Sequence, residues 1–565
     1  MSINSHPSQN KKLRLGDMLV QAGIITEEQL KEALGKQRTY GMRLGQVLIK
    51  DGYLTQQDLT AVLESQLGIK SVNLKQTSVD SKVARMIPEN LARRHVVIPV
   101  LVEKGHLHLA MRDPLDQVAI QDVRLLVQLQ VTPLLASEDE ITASIERVFS
   151  QVTAAKAAAD FVQSQSGLLE GLEDASLDIN SAPIVRLVGS VLENAVRSGA
   201  SDVHIEPNHD QLRVRIRVDG ILQENLTTSL KVHSAVTSRI KVMAGLNISE
   251  KRVPQDGRIM ISADKRDIDL RVSTMPTSYG EKVVMRILDR ANFMVGKENL
   301  GFGRGDVEKF QNLISRPHGI ILVTGPTGSG KTTTLYSMLA ELNDEKKNII
   351  TLEDPVEFDM KGINQTQINI RAGLTFATGL RSILRQDPDI IMVGEIRDAE
   401  TAEIAARAAL TGHLVLSTLH TNDAPGAVAR ITDMGVEPFL LSSSLLGVVA
   451  QRLVRKICPE CKKPYEADER EKRILGCDQD KPLILERGSG CDYCHKTGYR
   501  GRIGVFEIME AGKEIRLLID GRCAADQLRD AALSHGMVSL WEDARRKVLE
   551  GVTTLEEMLR VTYTN

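Results

Sequence analysis

The chain has 565 residues, which is too long for one hydrophobic core, and the usual domain size predicts about three to four domains. A net charge of -3 and an aromatic content of 3% argue against a protein that holds DNA along its length or stacks bases. No segment approaches the ~18 apolar residues of a membrane span, and the N-terminus lacks the apolar core of a signal peptide. We therefore expect a cytoplasmic protein without a transmembrane segment that reaches a membrane only through partner proteins and does not bind nucleic acid directly.

A tandem repeat opens the chain. Residues 14–37 and 43–66 are identical at nine of 24 aligned positions, and residues 38–42 join them. Each copy predicts two short helices, because a glycine suits the left-handed end of the first and a threonine suits the N-cap of the second. The residues concerned are Gly23 and Thr26 in the first copy and Gly52 and Thr55 in the second. Leucines four residues apart predict an apolar face on each second helix, at Leu30 and Leu34 in the first copy.

The repeat permits two interpretations. Its four short helices can simply pack on one another or dock to a partner at a membrane. Alternatively, the Arg-Leu-Gly sequence that opens each copy places a cation beside a glycine at a helix start, where the backbone approaches a ligand closely and an anion is favoured. Two such copies form a pseudo-symmetric site for a two-fold symmetric anion, and arginine is the residue that pairs bidentately with guanine.

Composition and periodicity divide the chain into five segments. Residues 1–70 hold the repeat, and 71–150 mix strand and helix patterns, which predicts an α+β segment that completes the N-terminal domain. Residues 151–180 are rich in alanine, serine and acidic residues and predict a linker. In 181–300 an amphipathic helix precedes alternating strands, and in 301–565 apolar strands, glycine-rich turns and helices alternate. The last pattern predicts a mostly parallel sheet with helices on both faces.

A glycine-rich motif follows the first apolar strand of the last segment. The sequence GIILVTGPTGSGKTTTLYSML, which starts at residue 319, predicts a strand, a G-x-x-x-x-G-K-T loop and a helix. That order favours a phosphate site over an ordinary glycine-rich turn, because backbone N–H groups and a helix N-terminus converge there. We expect Lys331 to reach the β- and γ-phosphates of ATP and Thr332 to bind Mg²⁺. The predicted nucleotide-binding residues are Gly325, Pro326, Thr327, Gly328, Ser329, Gly330, Lys331, Thr332 and Thr333.

Two acidic clusters end later apolar strands, NIITLEDPVEF and DPDIIMVGEIRD. Ligands meet a doubly wound sheet at strand C-termini, although either cluster alone is also compatible with a solvated turn. A carboxylate there can hold Mg²⁺ through water or polarise the water that attacks the γ-phosphate. We predict Glu353 and Asp354 as magnesium ligands. Glu357 and Glu395 are the predicted catalytic carboxylates. His420 ends a third strand, where it can sense the γ-phosphate, although a lone histidine is often only a packed core residue.

Taken in order, the P-loop, EDPVEF, MVGEIRD and GH…TLHTND segments resemble the ATPases of type II secretion and type IV pilus assembly, over roughly residues 180–565. The resemblance implies an ATP-hydrolysing homohexamer that binds ATP and Mg²⁺ between a RecA-like domain and the domain before it. It also implies partners among inner-membrane pilus or secretion platform proteins, and arginines from the preceding domain that contact the nucleotide. The candidate catalytic arginines are Arg217, Arg258, Arg271 and Arg286.

Four of the six cysteines form two C-x-x-C pairs that are 29 residues apart. They are Cys458 and Cys461, followed by Cys491 and Cys494. Two such pairs commonly build a closed tetrahedral Zn²⁺ site, which leaves no open coordination position and therefore predicts a structural metal. A redox pair or chance spacing is the alternative. Within the family, an insertion of this kind, here residues 458–494, resembles assembly and secretion motors and is absent from retraction motors.

The tandem repeat resembles the paired 24-residue motifs, joined by five residues, of an N-terminal domain that binds cyclic di-GMP. That domain is known from the motor of the mannose-sensitive haemagglutinin (MSHA) pilus. The resemblance implies ligand contacts from Arg14, Leu15, Gly16, Arg43, Leu44 and Gly45. It implies apolar contacts from Leu19, Ile24, Leu48 and Leu54. Asp113 of the following segment is a further candidate, as a carboxylate at a guanine edge.

The sequence thus predicts an α/β multidomain protein with a small helical repeat N-domain, α+β middle domains and a RecA-like P-loop ATPase core that carries a Cys₄ zinc insertion. The leading hypothesis is a pilus-assembly motor regulated by cyclic di-GMP. A type II secretion motor without ligand regulation is the first alternative. A DNA-uptake or conjugation ATPase is the second, and the near-neutral charge disfavours it.

Overall fold

The structure is a computed structural model, and its described residues are 16, 19–20, 23–40, 44–54, 70–77, 79–114, 116–165, 181–263, 266–288 and 296–562. The chain divides into two compact units, residues 1–156 with 491–493 and residues 157–490 with 494–565. Within the described ranges, no helix combines the length and the apolar character needed to cross a membrane.

The described part of the tandem repeat contains the helices α1 (Glu27–Tyr40) and α2 (Leu44–Lys50). Gly23 and Gly52 adopt left-handed φ angles of 70° and 75°, as the sequence predicts. Thr26 Oγ1 accepts a hydrogen bond from the Gln29 amide (3.2 Å), and Gln29 Oε1 accepts one from the Thr26 amide (2.8 Å). The predicted cap is therefore confirmed in the first copy, while Thr55 lies outside the described residues.

The predicted apolar face of α1 is only partly correct. Leu30 packs against a small apolar core, whereas the side chain of Leu34 is 45% exposed. Ala33 is 0% exposed and takes the buried position instead. A helix returns to the same side after three residues as well as after four, and leucine spacing alone does not distinguish the two.

The segment after the repeat mixes helices and strands, as predicted. Its elements are α3 (Ser81–Ala84), α4 (Glu89–His95), β1 (Val97–Glu103), β2 (His106–Met111), α5 (Gln117–Val127), β3 (Gln130–Leu135) and α6 (Glu138–Gln165). β2 pairs antiparallel with β1 and parallel with β3. Residues 151–165, the first half of the predicted linker, continue α6, because their alanine-rich sequence has high helix propensity.

An antiparallel sheet with two helices follows. Its elements are α7 (Ala182–Arg197), β4 (Ala200–Pro207), β5 (Gln211–Val218), β6 (Ile221–Ser229), α8 (His233–Met243), β7 (Gln255–Ala263), β8 (Arg266–Thr277) and β9 (Gly280–Leu288). The strand order is β6-β5-β4-β9-β8-β7. Every second residue of β5 is buried, and α7 and α8 contact the sheet at β4 and β9. One face of the sheet is therefore apolar and covered, and the other presents polar side chains.

The remaining residues form the core that carries the P-loop. Its first elements are α9 (Lys297–Leu300), α10 (Arg304–Ile314), β10 (Gly319–Thr324), α11 (Lys331–Leu342), β11 (Ile349–Glu353), β12 (Asn364–Gln367), α12 (Phe376–Ile383), β13 (Ile390–Val393), α13 (Ala399–Leu410), β14 (Leu414–Leu419) and α14 (Ala424–Asp433). They are followed by α15 (Pro438–Ser444), β15 (Leu445–Ile457), β16 (Lys462–Glu466), α16 (Glu469–Ile474), β17 (Ile484–Gly488), β18 (Tyr499–Glu510), α17 (Lys513–Asp520), α18 (Ala525–Ser534), α19 (Leu540–Leu549) and α20 (Leu555–Thr562).

The core sheet has seven strands in the order β12-β11-β13-β14-β10-β15-β18. Its first six strands are parallel, and β18 pairs antiparallel with β15 at one edge. All residues of β10, β13 and β14 are buried, which is the pattern of a parallel sheet covered on both faces. The α/β multidomain fold class predicted from the sequence is confirmed.

Candidate functional site

The P-loop connects the buried strand β10 to α11. Gly325, Gly328 and Gly330 have φ angles of 149°, 79° and 89°, which favour glycine. A Cβ atom at Gly325 would lie 2.4 Å from the carbonyl oxygen of Gln451, so the close approach of β15 also requires glycine there. Among the other predicted nucleotide-binding residues, Pro326, Thr327 and Thr332 are exposed, Thr333 is half-buried and Ser329 is buried.

Lys331 begins α11 and points back into the loop. Its Nζ donates to the carbonyl oxygens of Gly325 (2.8 Å) and Pro326 (3.1 Å). Burial lowers the pKa of Lys331 to about 8, while the negative charge of Glu395 raises it and the positive charge of Arg452 lowers it further. A phosphate group can replace the two carbonyl partners and, as an anion, favours the charged lysine.

Glu395 follows β13, as the sequence predicts for a catalytic carboxylate. Its side chain is 15% exposed, and it forms an ion pair with Arg397. Its second oxygen lies 3.6 Å from Nε2 of His420, whose side chain is 50% exposed. β13 and β10 both run parallel to β14, so Glu395 lies at the same edge of the sheet as the P-loop, where a carboxylate can polarise a water molecule.

The structure places Glu353 in a closed network rather than at an open metal position. Its side chain is 4% exposed. One oxygen accepts from the Tyr336 hydroxyl (2.5 Å), and the other accepts from Thr351 Oγ1 (2.6 Å) and Gln365 Nε2 (3.1 Å). Protein donors thus bond to both oxygens of Glu353, and its role as a magnesium ligand stays a prediction. Asp354, the other predicted ligand, is exposed.

Glu357 contacts an arginine of the preceding sheet. Its Oε2 lies 3.0 Å from Nη1 of Arg271, and Nη2 of Arg271 donates to the Val356 carbonyl (2.7 Å). Burial raises the pKa of Glu357, and the positive charge of Arg271 opposes that shift. A cavity of about 230 Å³ adjoins Glu357 and is lined by Arg258 and Asp269 among others.

The four candidate arginines lie in one row across the antiparallel sheet. Successive cross-strand partners are Arg217, Asp202, Arg286, Arg271 and Arg258. Asp202 accepts from Arg286 Nε (3.2 Å) and lies 3.7 Å from Arg217 Nε. Arg271 thus contacts the acidic segment of the same chain, Arg258 lines the adjacent cavity, and the other two arginines pair with Asp202.

Sequence reasoning missed several residues of this site. Arg397 is two positions after Glu395, and its charge within that motif was a usable signal. Tyr336 and Gln365 hold Glu353, and Gln451 accepts a hydrogen bond from Thr334 of α11 (2.7 Å). These residues come from separate elements, so the tertiary fold alone brings them together.

The four predicted zinc ligands converge. The Sγ atoms of Cys458, Cys461, Cys491 and Cys494 lie within 4.8 Å of one another, and all four residues are buried. Tetrahedral thiolates at ~2.3 Å from a zinc ion are about 3.8 Å apart, and the sulfurs of Cys461 and Cys494 are separated by 3.8 Å. The Gly498 amide also donates to Cys494 Sγ (3.2 Å). The residues therefore fit a closed Zn²⁺ site.

The structure describes eight of the eleven predicted cyclic di-GMP residues. Leu19, Leu48 and Leu54 are 0%, 0% and 6% exposed and form part of the core of the repeat, which Ile24 and Leu44 flank. A Cβ atom at Gly16 would lie 2.6 Å from Leu30, so this glycine permits close helix packing. Gly45 is in α2, and Asp113 is half-buried after β2. Arg14, Leu15 and Arg43 lie outside the described residues.

Two family models match the chain. Residues 178–560 match the family described as Type II/IV secretion system protein, and residues 67–155 match the MshEN domain. The second match begins directly after the tandem repeat, which ends at residue 66.

Curated relatives cover most of the chain. The type IV pilus assembly ATPase PilB of Myxococcus xanthus is 44% identical over 555 residues, 97% of this chain and 98% of that protein. The type II secretion system protein E of Pseudomonas aeruginosa is 46% identical over 492 residues, 85% of this chain and 96% of that protein. Among solved structures, the ATPase DotB of Yersinia pseudotuberculosis has a TM-score of 0.52 at 21% identity and covers 70% of this chain and 97% of its own, which shows a shared fold.

Proposed function

The chain belongs to the type II/IV secretion system protein family, and from that premise we propose that it is a homohexameric motor that couples ATP hydrolysis to assembly of an MSHA-like type IV pilus under the control of cyclic di-GMP. It is a P-loop ATPase of the group whose members are named for pilus assembly and type II secretion. Its partners in this proposal are inner-membrane platform proteins, which hold it at the cytoplasmic face of the membrane.

The hydrolytic part of the proposal rests on the P-loop contacts of Lys331 and on Glu395, which follows β13 at the same edge of the parallel sheet. With ATP bound, Lys331 exchanges its carbonyl partners for phosphate oxygens, and Glu395 polarises the attacking water. Thr332, in the first turn of α11, and Asp354, exposed after β11, would hold Mg²⁺, which neutralises phosphate charge. Arg271 supplies a cation from the preceding domain. Glu357 and the Val356 carbonyl, which belong to the core, orient it.

A type II secretion motor without ligand regulation is the main competing function, since relatives of both kinds match this chain closely. The tandem repeat distinguishes the two proposals. Its 24-residue copies and five-residue joint, together with the MshEN match, support a cyclic di-GMP module. Leu19, Leu48 and Leu54 are buried, and in the proposal they shape the site by packing its helices. In the proposal, the Arg-Leu-Gly segments make the direct contacts.

Replacing Arg14 or Arg43 by alanine is expected to weaken cyclic di-GMP binding by a similar factor, because the repeat gives the two arginines equivalent roles. A charge-assisted contact contributes about 1.5–3 kcal/mol, so each change should reduce affinity roughly tenfold or more. Isothermal titration calorimetry of the full chain measures both losses. GMP and ATP should compete poorly, since neither occupies both half-sites.

Lys31→Ala is the matched control, because Lys31 is exposed on α1 outside both Arg-Leu-Gly segments. It should bind cyclic di-GMP as the unmodified chain does. Unchanged affinity in both arginine variants would refute the assignment of the ligand to the repeat. Absence of cyclic di-GMP binding by the unmodified chain would make the type II secretion motor without ligand regulation the better proposal.

Protein purified without added zinc should contain about one zinc per chain, and changing Cys458 and Cys461 together to serine should remove it. Loss of the metal should make the region around residues 458–494 sensitive to protease, because metal ligation contributes to folding. ATP hydrolysis should persist, since these cysteines lie outside the P-loop site. Metal analysis and limited proteolysis check these outcomes.

Cys523→Ser is the control for the zinc experiment, because this half-buried cysteine is outside the four-sulfur cluster. It should retain the metal and the protease resistance of the unmodified chain. If the metal-free variant resists protease equally well, the metal does not stabilise this region.

A further inference from the structure

A buried tyrosine connects the phosphate-binding helix to the acidic segment that follows β11. Tyr336 is on α11, the helix that Lys331 begins, and its side chain is 1% exposed. Its ring packs edge-on against Phe358, with centroids 4.7 Å apart and planes at 72°. Its hydroxyl donates to Glu353 (2.5 Å) and accepts from the Glu357 amide (3.2 Å). One hydroxyl therefore holds the strand end and the segment beyond it.

The same acidic segment is fixed from a second side by Gln365 of β12. Its Nε2 donates to the Phe358 carbonyl (3.1 Å) and to Glu353 (3.1 Å), and its Oε1 accepts from the Met360 amide (2.7 Å). Burial raises the pKa of Tyr336, and the hydrogen bond to Glu353 raises it further. The hydroxyl thus keeps its proton and remains a donor to the carboxylate.

The segment that these hydrogen bonds hold also contacts Arg271. Arg271 bonds to the Val356 carbonyl and lies 3.0 Å from the Glu357 carboxylate, so both of its contacts come from adjacent residues. The Tyr336 hydroxyl binds the amide of that same Glu357. A continuous path of hydrogen bonds therefore runs from α11 through Tyr336 to the arginine of the preceding domain.

We propose that Tyr336 is a positioning residue, which couples nucleotide on the P-loop helix to the Arg271–Glu357 contact and so sets the arginine for hydrolysis. Phosphate binds at the first turn of α11, and any displacement of that helix moves the hydroxyl and, with it, the Glu357 backbone. This positioning role extends the proposed ATPase function and rests on it. It requires no contact between Tyr336 and the nucleotide.

The test compares two tyrosine-to-phenylalanine variants of the full chain. Tyr336→Phe keeps the ring against Phe358 and removes only the hydroxyl. Tyr465→Phe is the matched control, since its hydroxyl also donates to a glutamate, Glu471 (2.8 Å), but in the cysteine-containing insertion. We expect Tyr336→Phe to lower kcat about tenfold with ATP affinity changed less than about twofold, since misplaced groups affect the chemical step more than binding. The control should retain both values. An unchanged kcat in Tyr336→Phe would overturn the proposal.

A second comparison separates positioning from a purely structural role. In an Arg271→Ala background, adding Tyr336→Phe should lower kcat less than about twofold further, because residues that act through one another are not additive. An equal loss with and without Arg271 would overturn the proposal. A Tyr336→Phe variant without a cooperative thermal transition has not folded. Gln365→Ala then replaces it in both comparisons, because half-buried Gln365 is on the edge strand and bonds to the same segment. The same outcomes in kcat decide. An unmodified chain without ATPase activity would overturn both this inference and the proposed function.

Discussion

Replacing Lys331 by alanine is expected to remove measurable ATP hydrolysis. The amine is already directed into the P-loop by two carbonyl contacts, so its charge is in place for the terminal phosphates. Loss of a preorganised cation that stabilises charge in the transition state reduces turnover on the order of 10²–10³-fold, and the weaker binding of ATP reduces it further. A phosphate-release assay measures turnover, and titration with a fluorescent ATP analogue measures binding.

Lys346→Ala is the control for this change, because Lys346 is exposed in the loop after the same helix. It should hydrolyse ATP at the unmodified rate. Wild-type turnover by Lys331→Ala would refute the phosphate site.

The same lysine should make ATP affinity depend on pH. Its pKa of about 8 in the free protein means that it is charged below pH 8 and increasingly neutral above it. Bound phosphate raises that pKa, so the contribution of Lys331 to affinity is complete below pH 8 and is lost as the pH rises above it. Lys331→Ala should lack this loss above pH 8.

Glu395→Gln is expected to leave ATP bound and to stop its hydrolysis. The amide keeps the size of the side chain but cannot accept a proton from the attacking water. Loss of a general base lowers kcat by about 10²–10⁴-fold, while ATP affinity should change only a few-fold because the lysine and the P-loop remain. Single-turnover hydrolysis and equilibrium binding of ATP separate the two quantities.

The matched control is Glu403→Gln, which alters an exposed glutamate that pairs with Arg407 on the nearby helix α13. That variant should hydrolyse ATP normally. If Glu395→Gln turns ATP over at the wild-type rate, Glu395 is not the catalytic carboxylate, and Glu357 becomes the remaining candidate.

Local chemistry explains what the sequence predicts correctly. The P-loop needs glycines within a few residues between an apolar strand and a helix, and all of these features are contiguous in the chain. Gly23 and Thr26 are likewise predictable, because a left-handed residue and an N-cap depend on their immediate neighbours. Each C-x-x-C pair is a local sequence signal, and the chemistry of a shared metal site implies that the two pairs lie close together.

Tertiary contacts explain what the sequence does not predict. Glu353 looks like a metal ligand at a strand end, yet donors on its own strand and on two other elements surround it, and only the fold brings Tyr336 and Gln365 there. Leu19 and Leu48 stand in motifs that resemble a ligand site, but their own packing buries them. Sequence alternation marks each of the four arginines only as a residue on the exposed face of a strand. The register of the sheet places them in one row.

Calorimetric titration of the unmodified full chain with cyclic di-GMP tests the proposed function most directly. A motor regulated through its tandem repeat should bind one cyclic di-GMP per chain, since the two copies together form one site, and GMP injected at the same concentration should give little heat. Absence of a binding heat with cyclic di-GMP would contradict the proposal, and a stoichiometry of two per chain would contradict a shared site.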